Sequence, residues 1–142
     1  MKRKASAVWH GNLAKGMGTL STESGVLAAK PYSFSTRFEN EPGTNPEELI
    51  AAAHAGCFTM ALSLALQQAG FTAETLATEA TVTLENVPPA GWTVTAIHLA
   101  TNAKVPGVAP EKFAEIAAGA KEGCPISRLL KAAAISLEAR LV

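Results

Sequence analysis

Two cysteines, and no more, are available for thiol chemistry in this chain. Cys57 ends the small-residue run A-A-A-H-A-G-C, and Cys124 opens the motif C-P-I-S-R-L-L. Two lone cysteines at special local positions can form a redox couple. Where thiols are kept reduced, a transient catalytic disulfide fits better than a permanent structural one. The bland alternative is a pair of buried bystanders, since free cysteine packs well as a small hydrophobe. Around Cys57, the side chains of Ala51, Ala52, Ala53, Ala55 and Gly56 add little bulk. That leaves room for a close backbone or a small substrate, and both readings of Cys57 stay open. Cys124 precedes Pro125 at a predicted helix start. There, free N–H groups and the helix dipole stabilise a thiolate, which favours a redox role.

Other chemistry fares less well. Two cysteines and three histidines nominally suffice for zinc, but no C-x-x-C or H-x-x-x-H spacing occurs. His54 and Cys57 share a helix face; a histidine so placed is more often a packing residue than a ligand or base. A reactive thiolate needs a cation beside it, and arginine suits that role because it stays charged and offers several donors. Arg37 is the sole arginine between positions 4 and 127, although by itself it also reads as a surface strand residue.

The elements that must position these groups are legible in the patterning. Residues 3–10 and 16–23 read as strands. Residues 31–39 alternate Tyr32, Phe34, Thr36 and Phe38 on one face, predicting a third strand with Arg37 on the opposite face. A helix start follows: Asn45 as N-cap, Pro46 at the first position and Glu48 closing a capping box. Its pattern runs through Leu49, Cys57 and Leu64 to a stop at Gly70. It is apolar almost all round, so it should be buried on most sides. Residues 72–86 and 92–105 form an alternating hairpin across N-V-P-P-A-G. A helix from about Pro110 ends at Gly123, a short one starts at Pro125, and a strand runs from Ala134 to Val142. The order β-β-β-α-β-β-α-α-β predicts an α+β fold of one domain.

Composition narrows the partners. The 142 residues carry 12 basic and 12 acidic side chains, a net charge of zero, which gives no footprint for nucleic acid or an anionic membrane. Every acid is a glutamate, which excludes aspartate-based metal loops. No uninterrupted apolar run of 18 residues exists, so no membrane span is expected. The basic start M-K-R-K lacks an apolar segment after it, so a cytoplasmic location is expected.

The segments S-T-E-S-G-V-L, P-Y-S-F-S-T-R-F-E, G-T-N-P-E-E-L-I-A-A-A-H-A-G-C-F-T-M-A-L-S and K-E-G-C-P-I-S resemble the OsmC/Ohr family over essentially the whole chain. The A-A-H-A-G-C form is similar to its OsmC branch. The resemblance implies a thiol peroxidase that reduces organic hydroperoxides, and hydrogen peroxide less well. It gives Cys57 the peroxidatic role and Cys124 the resolving role. Arg37 would stabilise thiolate and peroxide, with Glu47 orienting Arg37. No metal or bound cofactor is implied. The reductant is an external dithiol, lipoyl-type in the Ohr branch. The implied fold is an intertwined homodimer with two long central helices back to back, wrapped by antiparallel β-sheets.

Helix geometry adds a constraint. Glu47 and Cys57 lie ten residues apart on one predicted helix, about 15 Å along its axis. A straight helix cannot bring them together, so Glu47 at a Cys57 site is expected to come from a partner subunit, with the small residues 52–56 allowing close packing. Phe38, Phe58 and Met60 are candidate walls for an alkyl tail. A non-catalytic redox sensor and a dimer holding a small apolar ligand are the alternatives.

Overall fold

Strand alternation, three proline helix starts and a glycine stop account for most of the backbone. A computed structural model describes residues 1–39 and 41–142. The elements are β1 (Ala5–His10), β2 (Met17–Thr22), β3 (Lys30–Ser33), α1 (Phe34–Phe38), α2 (Pro46–Gln68), β4 (Thr75–Val87), β5 (Gly91–Lys104), α3 (Pro110–Gly123), α4 (Pro125–Leu129) and β6 (Ala134–Leu141). They fall into two compact units, Met1–Leu49 and Ile50–Val142.

In the first unit, β1, β2 and β3 form an antiparallel sheet in chain order. Gly18 on β2 faces Tyr32 on β3, and an added Cβ would stand 2.4 Å from the Tyr32 ring. Glycine therefore makes space for the Trp9–Tyr32 ring pair, whose centroids are 5.3 Å apart. The expected third strand is cut short. Ser33 caps a helical turn: its hydroxyl accepts from the Thr36 N–H, and Thr36 Oγ1 accepts from the Ser33 N–H. Phe34 and Phe38 then meet one turn apart at 4.8 Å, whereas four residues along a strand would hold them about 13 Å apart. Local capping thus overrides the period-two pattern.

In the second unit, β4 and β5 form the expected hairpin, with a register irregularity at Thr83/Leu84. The strand β6 lies beside β5 but runs parallel to it. The expectation of wholly antiparallel sheets is corrected here. The connection from β5 to β6 carries α3 and α4, and such a crossover lets a strand return in the same direction. Leu99 and Ala103 of β5, Phe58, Leu62 and Leu66 of α2, and Phe113, Ile116, Ala117 and Ala120 of α3 form the core, with Cys124 inside it.

The α2 helix begins as its sequence dictates, with Asn45 Oδ1 accepting from the Glu48 N–H at 2.8 Å. It ends where Gly70 turns left-handed at φ 85°, and the Phe71 N–H closes on the Leu66 carbonyl at 2.9 Å. By length and composition α2 is apolar enough to cross a membrane, with a mean hydropathy of 1.8. Within the chain it buries only one stripe, His54, Phe58, Leu62 and Leu66. The expectation of burial on most sides does not hold for one chain: Ala53, Gly56, Met60 and Leu64 form an exposed face, with Met60 76 % accessible. The sheet and α3 cover one side of α2 and leave the other bare.

Candidate active site

Cys57 sits mid-helix on α2, half-buried, and Cys124 is fully buried between α3 and α4. Both are free thiols, with their sulfurs 3.0 Å apart. A disulfide bond is about 2.05 Å long, so roughly 1 Å of approach would close one. Pro125 starts α4 without needing its own N–H. The N–H groups of Ile126 and Ser127 therefore lie free beside the Cys124 sulfur, although none makes a regular capping bond to it.

The two thiols are electrostatically unequal. Burial, reinforced by the hydrogen shared with Cys124, pushes the Cys57 thiol up, against a smaller downward pull from the Ile126 N–H. Burial acts the same way on Cys124, but Cys57 and the donors at the start of α4, Ser127 and the Ile126 N–H, outweigh it and bring that thiol down. While both are protonated, Cys124 donates to Cys57. When one ionises within an isolated chain it is Cys124, and Cys57 becomes the donor. Cys57 needs an added cation to become the thiolate.

Arg37, the cation singled out in the sequence, lies in the first unit. Arg37 lies in the last turn of α1 and Glu47 in the first turn of α2. The guanidinium binds the carboxylate at both ends, Nη2 to Oε1 at 2.7 Å and Nε to Oε2 at 3.2 Å. This fork geometry fixes the plane of the guanidinium, which also lies 5.2 Å from the Phe38 ring centre. The helical turn of α1, rather than a strand, is what aims Arg37 at Glu47. The two residues pair within one chain, so no second subunit is needed to make this contact.

Two further groups flank the thiols. His54 is fully buried, and its Nε2 lies 2.7 Å from Ser127 Oγ. Burial pulls the His54 imidazole below its ordinary range, so it is neutral near pH 7. Sequence reasoning left His54 undecided and passed over Ser127. The signal was there as a matched spacing: His54 lies three residues before Cys57, and Ser127 three after Cys124. Of the apolar candidates, Phe58 points into the core and is excluded as a pocket wall, while Met60 lies on the bare face of α2. Among the described residues, no three His, Cys, Asp or Glu side chains come together.

Residues 38–139 match the family described as OsmC-like protein. Peroxiredoxin OsmC of Escherichia coli strain K12 is 54% identical over 130 residues, covering 92% of this chain and 90% of that protein. The crystal structure of the organic hydroperoxide resistance protein OhrB of Bacillus subtilis superposes with a TM-score of 0.75 at 25% identity, covering 96% of this chain and 98% of that one. An OsmC-like protein of unknown function from Vibrio cholerae shares the fold at a TM-score of 0.78 and 16% identity, with 99% of each chain covered.

Proposed function

The chain belongs to the OsmC family and is a thiol-dependent peroxidase, and from that premise we propose that it reduces organic hydroperoxides with Cys57 as the attacking thiol and Cys124 as the resolving one. The observation that carries the assignment is the pair of free thiols 3.0 Å apart, one half-exposed and one buried. The exposed member meets the substrate and the buried member waits behind it.

The Cys57 thiolate attacks one peroxide oxygen, the O–O bond breaks, and the alkoxide leaves as an alcohol after taking a proton. The oxygen stays on Cys57 as a sulfenic acid. The Cys124 thiolate then attacks that sulfur, forming the S–S bond and expelling hydroxide, which becomes water. An external dithiol, of lipoyl or other type, restores both thiols by exchange and is itself oxidised. No metal or prosthetic group takes part. Hydrogen peroxide, lacking an alkyl tail, is the poorer substrate.

Arg37 is the cation that draws the charge to Cys57, with Glu47 orienting it. Because Glu47 and Cys57 are ten residues apart on α2, the Arg37–Glu47 pair of one chain serves the Cys57 of a partner in a homodimer. The bare face of α2 supports this reading: Ala53, Gly56, Met60 and Leu64 recur at helical spacing and offer a close-packing surface for a second α2, back to back. The whole chain, 1–142, then acts as one OsmC-like domain of the dimer, at work in the cytoplasm, where dithiol reductants are kept reduced.

The test is loss of cumene hydroperoxide with excess dithiol. Wild type turns over, and Cys57→Ser falls to background. Cys124→Ser forms a sulfenic acid but no internal disulfide. Oxidation that stops at one equivalent would make the protein a redox sensor. No oxidation at all would leave a ligand-binding dimer.

A further inference from the structure

His54 and Ser127 make a second contact between the helices that carry the thiols, and the peroxide cycle leaves it unused. Each shares a helix face with one cysteine, three residues away. The Nε2–Oγ contact at 2.7 Å and the Sγ–Sγ contact at 3.0 Å therefore join α2 to α4 at neighbouring turns. All three of His54, Ser127 and Cys124 are buried.

The hydrogen-bond pattern assigns the protons. His54 Nδ1 is buried without a partner. An orphaned N–H is rarer in proteins than an unsatisfied acceptor, so the proton belongs on Nε2 and a bare lone pair on Nδ1. Nε2–H then donates to Ser127 Oγ. With its oxygen engaged as acceptor, the Ser127 hydroxyl has its own hydrogen to give, and Cys124 caps the same helix three residues earlier with its sulfur buried alongside. A neutral ring suits this task, because it donates without adding charge to a buried site.

We propose that His54 and Ser127 are positioning residues for the resolving step: His54 holds Ser127 so that its hydroxyl donates to Cys124 Sγ and keeps that sulfur a thiolate for attack on the Cys57 sulfenic acid. The inference rests on the peroxidase reading. Cys124 loses its proton to solvent before the attack. The new S–S bond takes the thiolate electron pair, the S–O bond of Cys57 breaks, and hydroxide leaves to be protonated as water. Other ionisable groups near Cys124 are Cys57 and His54 of α2, Lys121 and Glu122 of α3, Arg128 of α4, and Lys131. The four last named line a cavity of about 200 Å³ with Ser127 and Ile135 of β6. Salt screens the three cations and the carboxylate there, whereas it leaves a buried hydroxyl contact largely untouched.

The experiment is a single turnover of the full-length protein with one equivalent of cumene hydroperoxide. Sulfenic acid formation and disulfide formation are timed separately from pH 5.5 to 9.5, at low and high salt. In Ser127→Ala, disulfide formation should slow about tenfold at pH 7 and its pH midpoint rise by about one unit, the equivalent of one lost hydrogen bond. The wild-type rate should return at the alkaline end, and sulfenic acid formation should stay within about twofold. Ser127→Thr should restore the midpoint. A second pair guards against a folding defect: His54→Gln reaches the Nε2 position and should keep the midpoint, whereas His54→Asn does not and should raise it. A common midpoint in wild type, Ser127→Ala and His54→Asn would overturn the proposal. So would equal slowing of both steps at every pH, or a midpoint set by salt alone. A wild type that forms no sulfenic acid would overturn the peroxidase reading itself.

Discussion

At the scale of single residues, the site is a contest over where one negative charge rests. Donors at the start of α4 draw it to Cys124, and burial keeps it off Cys57. In the proposed site a guanidinium at Cys57 would reverse the order. Replacing Arg37 by Ala should therefore slow sulfenic acid formation on the order of 10²-fold, typical of losing a preorganised charge at a reacting atom. It should leave disulfide formation nearly unchanged; stopped-flow single turnovers check both. An unchanged first step would remove Arg37 from the mechanism. His54 supplies a stability prediction of definite sign. Its folded pKa is lowered from 6.5 by burial, so its contribution is present above pH 6.5 and is lost as pH falls below it. Denaturant unfolding of wild type should lose up to about 1.4 kcal/mol per pH unit there relative to His54→Gln, which has nothing to protonate. Parallel pH curves for the two would contradict this. The motif around Cys57 was legible because small residues in a long apolar helix stand out. Ser127 was missed because its spacing from Cys124 gains meaning only when the fold brings in its partner, 73 positions away in sequence.

At the scale of elements, capping chemistry decided most of what was readable and most of what was missed. Asn45, Pro46 and Gly70 marked α2 at both ends. Alternation marked β4, β5 and β6, since each has one face on the core. The same alternation misled at Phe34–Phe38. There, four residues fit a strand by period, but the Ser33–Thr36 reciprocal bonds and the Phe34–Phe38 stack favour one helical turn. The parallel seat of β6 beside β5 was not legible either, because strand direction in a sheet depends on the path of α3 and α4. Core packing gives a plain check. Phe113 is nearly fully buried among α2, α3 and β5, and Phe113→Ala should cost about 3–5 kcal/mol of unfolding free energy. A cost below about 1 kcal/mol would contradict this core. The bare face of α2 gives a subtler one. A Cβ added at Gly56 meets no atom within 4 Å in the chain. Ala at a free helix position should stabilise by about 0.5–1 kcal/mol. Gly56→Leu should instead disrupt a dimer while leaving the chain's own secondary structure intact, measurable by sedimentation and circular dichroism. A dimer unaffected by Gly56→Leu would rule this face out as the contact.

At the scale of the whole molecule, the first unit has β1–β3 and α1, and among its described residues no large side chain is buried, only Gly16 and Gly18. A unit of about 50 residues without its own core needs outside surface to hold it. The second unit leaves half of an apolar helix uncovered. Both deficits are met if two chains share a core, and the Arg37–Glu47 pair then reaches the thiols of the other chain. The patterning alone announced the elements of such an assembly, whereas how two copies share them is encoded in surfaces rather than in periodicity. Subunit complementation tests that account most directly. Arg37→Ala and Cys57→Ser chains, each inactive alone, are unfolded together, refolded as an equal mixture and assayed for cumene hydroperoxide turnover. Random pairing makes about half the dimers mixed, each with one site holding both an intact Cys57 and a partner's Arg37, so activity should return to about a quarter of wild type. A mixture that forms mixed dimers and stays as inactive as its parents would contradict a site shared between chains.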